Sequence, residues 1–324
     1  MGDLPPPRVT PSSPFTHTGV DYAGPFAITA RVGRRQKSTK HYVALFICLC
    51  TRAINLEDVD DYTTAGSCAA FQRFVSRRGL PSHLYSDNGT NFQGADRELQ
   101  RSFNALRSDP SLCEILANDG VTWHFIPAAA PHFGGLWEAG VKSFKFHFRR
   151  IVGSRTLSRT EFATLLCKIE ANLNSRPIAA LSDDPDDLSS LTPGHFLIGR
   201  PLNSVPEESV LEVDSTHLSR WQLVRAMQEQ IWRCWSKDYL HSLQLRDKWR
   251  KVQPEIRVNE LVLLKNSLLP PSKWELARVQ ETHPGEDGHV RVVTLRTARS
   301  VYKRPIAQIC RLPVSSSDSE RPET

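Results

Sequence analysis

The sequence of 324 residues has no long hydrophobic run. A membrane-spanning helix needs about 20 consecutive apolar residues, whereas the longest candidate, Tyr42 to Cys50, has the length of a buried strand. The start, MGDLPPPRV, also lacks the apolar core that follows a basic region in a signal peptide. We therefore expect no membrane partner, and a protein that is made in the cytoplasm and works in the nucleus.

Paired cysteines are missing as well. The seven cysteines are scattered and include no CxxC pair, and no set of cysteines and histidines has zinc-finger spacing. We expect most of them to be buried apolar residues, Cys48 and Cys50 on one strand among them, and we expect no zinc in this chain.

The charge that is present has a modest positive excess. Lys and Arg number 41 against 35 Asp and Glu, which gives a net charge of +6. Such an excess favours a polyanionic partner such as nucleic acid, although it also occurs by chance. A chain of this length is long enough for two or three domains.

Three acidic residues stand beside glycines in three separate stretches. Asp87 ends an apolar stretch in LYSDNGTNF, Asp21 lies within a predicted strand in HTGVDYAGP, and Glu138 opens a predicted helix in HFGGLWEAGVKSFKFHF. Each has an ordinary structural explanation, since Asp87 could cap a turn and Glu138 suits the positive end of a helix. Together, however, they offer the oxygen ligands that a pair of Mg²⁺ or Mn²⁺ ions prefers.

The remaining pattern predicts a mixed α/β fold. Strands through Asp21, over His41 to Cys50 and over Ala53 to Val59 form an antiparallel meander, and a helix capped by Thr63 or Thr64 leads to the strand before Asp87. A helical crossover implies a parallel pair, which places the Asp87 strand beside the Asp21 strand. A fifth strand, Val121 to Pro127, precedes the Glu138 helix, and another helix covers Ser158 to Ser175.

The C-terminal part predicts a second structural unit. Ser215 to Trp249 predicts a long linker helix pair, and later short apolar runs, with Asp287-Gly288 as a hairpin signal, predict a small barrel of SH3-like type. Its basic side chains suit DNA phosphates. The candidate nucleic-acid contacts over the whole chain are Asn88, Asn91, Lys142, Lys145, Arg149, Arg278, Arg291 and Arg296.

The stretches HTGVDYAGP, YSDNGTNFQGA and PHFGGLWEAGVKSFK, in this order, resemble the catalytic core of retroviral-type integrases. More narrowly, the chain is similar to integrases of BEL/Pao long-terminal-repeat retrotransposons, whose tail domain resembles the stretch from Trp274 to Pro305. The resemblance implies an RNase H-like fold and a polynucleotidyl transferase that trims DNA 3′ ends and joins strands. Asp21 would then bridge two metal ions, while Asp87 holds one ion and Glu138 the other. Retroelement ends and target DNA would be the partners of a homo-oligomer.

Two departures from this family are visible. About 50 residues separate Asp87 from Glu138, more than in many members, so Arg97 to Asp119 is an insert and Glu98 or Glu114 are weaker third carboxylates. The N-terminal zinc module expected of such integrases is missing, which predicts a fragment of a polyprotein or a truncated copy. A catalytically silent or domesticated DNA-binding fragment and a plain metal-dependent nuclease therefore remain alternatives.

We predict the following domains: an extended arm at 1–14, a catalytic core at 15–180, an acidic loop and helical linker at 181–250, the basic β-barrel at 251–313, and a disordered tail at 314–324.

Overall fold

A computed structural model describes residues 5–29, 37–87, 90–107, 120–125, 135–153, 155–205, 207–214, 217–244, 256–266 and 269–314. The chain divides into two compact units, one formed by Met1–Glu170 with Ser215–Met227 and the other by Ala171–Asp214 with Gln228–Thr324. Among the helices of the described ranges, none has the length and apolar character that crossing a bilayer requires.

The first unit is built on a mixed sheet. A short helix, α1 (Pro6–Val9), comes first and is followed by the strands β1 (His17–Thr29), β2 (Ser38–Cys48), β3 (Ile54–Val59), β4 (His83–Ser86) and β5 (Thr122–Phe125). The strand order is β3-β2-β1-β4-β5. β1 to β3 pair antiparallel, whereas β4 pairs parallel to both β1 and β5. The predicted five-stranded mixed sheet, with the Asp87 strand beside the Asp21 strand, is confirmed.

Two helices lie between β3 and β5 in the chain: α2 (Thr64–Arg78) precedes β4, and α3 (Thr90–Arg107) follows it. The Thr63 side chain accepts a hydrogen bond from the Gly66 amide at 3.1 Å, and Gly79 ends α2 with a φ of 88°. Both ends were predicted from the sequence. The buried side of α2 carries Phe74, whose ring stacks on Phe46 at 4.3 Å and so joins α2 to β2.

Two longer helices follow, α4 (Gly135–Val152) and, after the two-residue strand β6 (Leu157–Ser158), α5 (Arg159–Asn174). β6 pairs in parallel with the end of β1. An aromatic cluster joins these elements: Phe26 lies 4.6 Å from Phe148, and Phe148 lies 5.7 Å from Phe162. Because Phe26 belongs to β1, this cluster fixes α4 and α5 against the strand that carries Asp21.

A buried ionic network ties β3 to α2 and α5. Glu57 on β3 pairs with Arg73 at 3.1 Å and with Arg77. Arg78 pairs with Glu170 on α5, whose other carboxylate oxygen accepts the Leu56 amide at 2.8 Å. Burial raises the pKa of Glu170, and Arg78 opposes that rise.

The second unit contains the short strands β7 (Ala179–Ala180) and β8 (Ser190–Leu191), the helix α6 (Pro193–Ile198) and most of α7 (Arg220–Leu243). Where we predicted a helix pair over Ser215 to Trp249, the described residues hold the single helix α7. Its tryptophans differ in role: Trp232 is buried and packs 4.8 Å from Trp274, whereas Trp221 is 54 % exposed.

Five antiparallel strands complete this unit: β9 (Leu261–Leu264), β10 (Glu275–Pro284), β11 (Val290–Arg296), β12 (Val301–Pro305) and β13 (Ile309–Arg311). The hairpin predicted at Asp287-Gly288 joins β10 to β11, and Gly288 has a φ of 75°. The strand order is β12-β11-β10-β9-β13. The SH3-like barrel that we predicted is not confirmed by this order, which has β12 and β13 at its two ends.

Candidate active site

Two of the three candidate carboxylates lie on neighbouring parallel strands. Gly19 of β1 pairs with Tyr85 of β4, and Asp21 and Asp87 follow two residues later on their chains. Because side chains alternate along a strand, both acidic residues continue the face that Gly19 and Tyr85 occupy. Asp21 is half-buried within β1, whereas Asp87 is exposed directly after β4.

The third carboxylate, Glu138, is held near this pair by its neighbour Trp137. Glu138 is exposed in the first turn of α4, and Trp137 is 4 % exposed. A Cβ atom built on Gly19 would lie only 2.4 Å from Cε3 of Trp137, so the indole ring lies against the bare backbone of β1. Glycine at position 19 thus allows the first turn of α4 to approach the strand that carries Asp21.

The electrostatics of Asp21 show that the three carboxylates share one region. The pKa of Asp21 is raised to about 6, chiefly by burial and then by the charges of Asp87 and Glu138. The Tyr22 amide, which donates to Asp21 Oδ1 at 2.6 Å, and the Lys145 ammonium act in the opposite direction. A half-buried carboxylate beside two like charges is a favourable ligand for a divalent cation.

The chemistry of this donor set fits magnesium better than zinc, since all three groups offer hard oxygen ligands. The oxygens of these three carboxylates do not all lie within 4.8 Å of one another. Within the described ranges, His41, Asp58 and Asp60 are the residues whose possible ligand atoms do lie that close together. A pair of ions about 4 Å apart spreads its ligands over two centres, so single-point convergence is not required.

The group of His41, Asp58 and Asp60 was not predicted from the sequence. His41 Nδ1 lies 2.9 Å from Asp58 Oδ1, and Arg159 contacts Asp58 at 3.2 Å and Asp60 at 2.7 Å. Because the Arg159 guanidinium already supplies a positive charge to both carboxylates, we interpret this group as an ionic link between α5 and the β2–β3 pair. In the sequence, the one sign of this group was that Asp58 and Asp60 are two residues apart.

A row of histidines on the Asp21 face of the sheet was also missed. His17 pairs in register with His83, and their rings stack at 4.6 Å. His83 Nδ1 lies 3.0 Å from Nε2 of His124 on β5. Burial lowers the pKa of both His17 and His124, and the neighbouring imidazoles lower it further. The rings of His17 and His124 therefore favour the neutral state.

The other predicted contacts near the site lie in different environments. Asn88 is outside the described residues. Asn91 is 2 % exposed, and its amide group donates to Ser67 Oγ at 3.3 Å, so it supports α3 against α2. Lys142 and Arg149 are exposed on α4, and Lys145 is half-buried toward Asp21. Arg149 also donates to the Gly24 carbonyl oxygen at 3.1 Å, and contact of these α4 side chains with a phosphate backbone stays a prediction.

The three predicted arginines of the second unit are engaged with protein groups. Arg278 is 5 % exposed and donates to the carbonyl oxygens of Asp184 at 2.7 Å and Asp187 at 2.5 Å. Arg296 pairs with Asp186 at 2.5 Å, and Arg291 pairs with Asp287 at 2.5 Å. Arg278 in particular is buried rather than part of a surface, because its guanidinium satisfies the carbonyl groups of the acidic loop.

The rival third carboxylates have weaker positions. Glu98 lies on α3 in an exposed pair with Arg101 at 3.0 Å, and Glu114 lies outside the described residues.

A Gly19→Ala substitution should test the packing that holds the Glu138 turn. The new methyl group would overlap Trp137, so we expect a loss of about 1–3 kcal/mol in unfolding free energy and a shift in tryptophan fluorescence. Gly140→Ala on α4 is the matched control, since its Cβ would lie 3.5 Å from Leu45, and alanine favours a helix by about 1 kcal/mol. Equal stability of the two variants in urea unfolding would contradict the Gly19–Trp137 contact.

Comparison with known proteins gives one family match, in the C-terminal part. Residues 219–312 match the model of a family of unknown function, DUF5641. A comparison with curated protein sequences finds no match.

Among solved structures, the chain is similar to a chain in the cryo-EM structure of the simian T-cell lymphotropic virus intasome in complex with PP2A regulatory subunit B56 gamma. This match has a TM-score of 0.38 and 10 % identity, and it covers 93 % of this chain and 79 % of that one. The dimeric form of the HTLV-2 integrase catalytic core domain in complex with magnesium matches with a TM-score of 0.31, 14 % identity and coverage of 50 % and 88 %. The trimeric form matches with a TM-score of 0.33, 14 % identity and coverage of 57 % and 97 %.

Proposed function

We propose that this chain is an integrase-type polynucleotidyl transferase with an RNase H-like core, of the kind encoded by BEL/Pao retrotransposons. Its substrates would be retroelement DNA ends and target DNA, handled in the nucleus by a homo-oligomer. The observation that carries the proposal is the half-buried Asp21 on β1, with Asp87 on the adjoining parallel strand and the Glu138 turn fixed over the same pair by Trp137.

The proposed division of labour follows from the environments of the three acidic residues. When bound, two Mg²⁺ or Mn²⁺ ions would supply charge stabilisation on the attacking and leaving oxygens of a phosphodiester. Asp21 would suit a position shared by both ions because the charges of Asp87 and Glu138 both act on it and because it is the most buried of the three. Asp87 and Glu138, both exposed, each suit one ion and leave room for the nucleic acid.

The residues around the carboxylates have roles in orientation. Trp137 positions Glu138, while Lys145 partly offsets the negative charge around Asp21. Lys142 and Arg149 continue the same helix as phosphate contacts. With water as the nucleophile the site would trim a 3′ end, and with a 3′-hydroxyl it would join strands. We also propose that the catalytic domain spans residues 15–180, that 181–250 links it to the C-terminal domain at 251–313, and that 1–14 and 314–324 are an arm and a tail.

The decisive experiment is an assay on a labelled DNA duplex with Mg²⁺ or Mn²⁺, scored for cleaved and for joined products. We expect Asp87→Asn and Glu138→Gln to lose both products, because the amides keep the shape of the side chains but remove the charge that holds the ions. Asp183→Asn, an equal change of charge at an exposed position of the acidic loop, should keep both. Wild-type activity in Asp87→Asn would overturn the assignment.

The same assay separates the alternatives. Cleavage without joining would indicate a nuclease. DNA binding without either product from the wild-type chain would indicate the catalytically silent fragment.

A further inference from the structure

The C-terminal sheet contains a polar cavity of about 320 Å³. Residues from β12, from the ends of β9 and β10, and from the segment before β13 line it, and those that matter here are Lys265, Asn266, Glu275, Tyr302, Arg304 and Gln308. β9 and β12 are not neighbours in the strand order, yet both reach this cavity. The sheet is therefore curved enough to make a concave site, and 320 Å³ lies within the usual range of about 300–1,000 Å³ for ligand pockets.

Two cations at this cavity keep their charge uncompensated within the described structure. Lys265 Nζ donates to the Gln244 amide oxygen at 2.5 Å and to the Ala307 carbonyl at 3.0 Å, and both acceptors are neutral. The Arg304 guanidinium lies 5.0 Å from the centre of the Tyr302 ring and donates to the backbone carbonyl of Lys303 at 3.4 Å. No carboxylate of the described ranges pairs with either group.

The single carboxylate of the cavity is satisfied by neutral donors. Glu275 accepts from the Asn266 amide group at 2.7 Å and from the Tyr302 hydroxyl at 3.3 Å. The lining therefore has two positive charges against one negative charge. In contrast, Arg291 and Arg296 of the same sheet are paired with Asp287 and Asp186, and Arg278 is buried. Lys265 and Arg304 are thus the cations that this cavity offers to an anion.

The cavity combines the groups that recognise one nucleotide. A guanidinium plane beside an aromatic ring is a surface on which an unstacked base can stack. A lysine ammonium is a compact charge for a phosphate. The amide of Gln308 can both donate to and accept from a base edge. A double helix does not enter a cavity of this size, whereas a single unpaired nucleotide does.

We infer that this cavity binds one unpaired nucleotide of a DNA strand. The inference rests on the proposed function only in taking DNA, rather than another polyanion, as the natural ligand. The cavity would then take the place of the predicted set of Arg278, Arg291 and Arg296 as the centre of nucleic-acid contact in the second unit.

The test uses the full chain and fluorescence anisotropy with a labelled oligothymidylate. We expect Arg304→Gln and Lys265→Gln each to raise the dissociation constant about five-fold or more, the range of one stacked base or one buried phosphate contact. Lys303→Gln is the matched control, since it removes the same charge one residue away and Lys303 does not line the cavity. Thymidine monophosphate should compete with the oligonucleotide at concentrations at which inorganic phosphate does not.

Three results would overturn the inference: an equal loss in Lys303→Gln, no loss in either cavity variant, or competition by a polyglutamate peptide as strong as that by the nucleotide. Failure of this inference is distinguishable from failure of the proposed function. Loss of cleavage in Asp87→Asn with oligonucleotide binding retained would support the Asp21 site independently of the cavity, and a wild-type chain that binds the oligonucleotide through Arg304 without cleaving would support the cavity alone.

Discussion

Asp21→Asn is expected to make the folded protein more stable at neutral pH while it abolishes DNA cleavage. In the native state the pKa of Asp21 is raised from its ordinary value of 3.8 to about 6, chiefly by burial and then by Asp87 and Glu138. The native protein therefore binds a proton that the unfolded chain has released. At pH 7.5 the ionised group costs up to about 3 kcal/mol, and the neutral amide removes that cost. The gain is reduced somewhat because Lys145 loses a charged neighbour.

The sign of this effect predicts its pH window. A carboxyl group with a raised native pKa contributes full stability below its unfolded value and loses it as the pH rises through the native value, so the wild type should weaken between pH 3.8 and about 6. The free energies of unfolding of wild type and variant should therefore converge near pH 4, diverge between pH 4 and about 6, and keep a constant difference above that range. Urea unfolding at several pH values measures this difference. A variant that is less stable than wild type at pH 7.5 would contradict it.

Divalent cations give this prediction a second readout that does not depend on catalysis. If Asp21 helps to hold Mg²⁺, millimolar Mg²⁺ should raise the melting temperature of the wild type by mass action. The Asp21→Asn variant should respond much less. Asp183→Asn should respond like the wild type, because its carboxyl group is exposed and remote in sequence from the site.

Arg78→Met should destabilise the first unit by about 3–5 kcal/mol at neutral pH. Arg78 pairs with the buried Glu170 carboxylate and also donates to Asn55 Oδ1 at 3.0 Å. Without the guanidinium, Glu170 would be a buried charge with its nearest positive group removed. Methionine keeps much of the volume, so the loss would be mainly electrostatic. Guanidinium chloride would mask charge effects, and urea unfolding is the appropriate measurement.

The pH dependence separates this effect from lost packing. The pKa of Glu170 is already raised by burial, and removal of Arg78 would raise it further. Because a protonated Glu170 no longer needs a cation, the penalty of Arg78→Met should shrink toward pH 5. The double variant Arg78→Met/Glu170→Leu should recover much of the stability at pH 7.5, as buried ion pairs often can be replaced by apolar groups. A penalty that is independent of pH would indicate packing alone.

The sequence predicted those parts of the fold that depend on local signals. The cap at Thr63, the end of α2 at Gly79 and the Asp287-Gly288 hairpin each follow from a few adjacent residues. The parallel placement of β1 and β4 followed from the handedness of a crossover, and it was enough to bring Asp21 and Asp87 together.

What the sequence could not predict depends on contacts between distant residues. Arg159 meets Asp58 across 101 positions, and Arg278 donates to carbonyl groups more than 90 positions away. An arginine that will be buried looks the same in a sequence as one that will face DNA. The role of Gly19 was hidden for the same reason, because only the position of Trp137 shows why a side chain is excluded there.

β1 carries two groups that respond to acid in opposite ways, the imidazole of His17 and the carboxyl group of Asp21. His17 stacks on His83, and His83 Nδ1 lies 3.0 Å from Nε2 of His124. Since the pKa of His17 and of His124 is lowered, their contribution to stability is present above the unfolded value of about 6.5 and is lost as the pH falls. Asp21, four residues after His17, gains stability over the same fall. In β1, protonation of His17 would thus lower the free energy of unfolding, whereas protonation of Asp21 would raise it. The two effects oppose each other, so moderate acidification should change the stability of the sheet less than either effect alone.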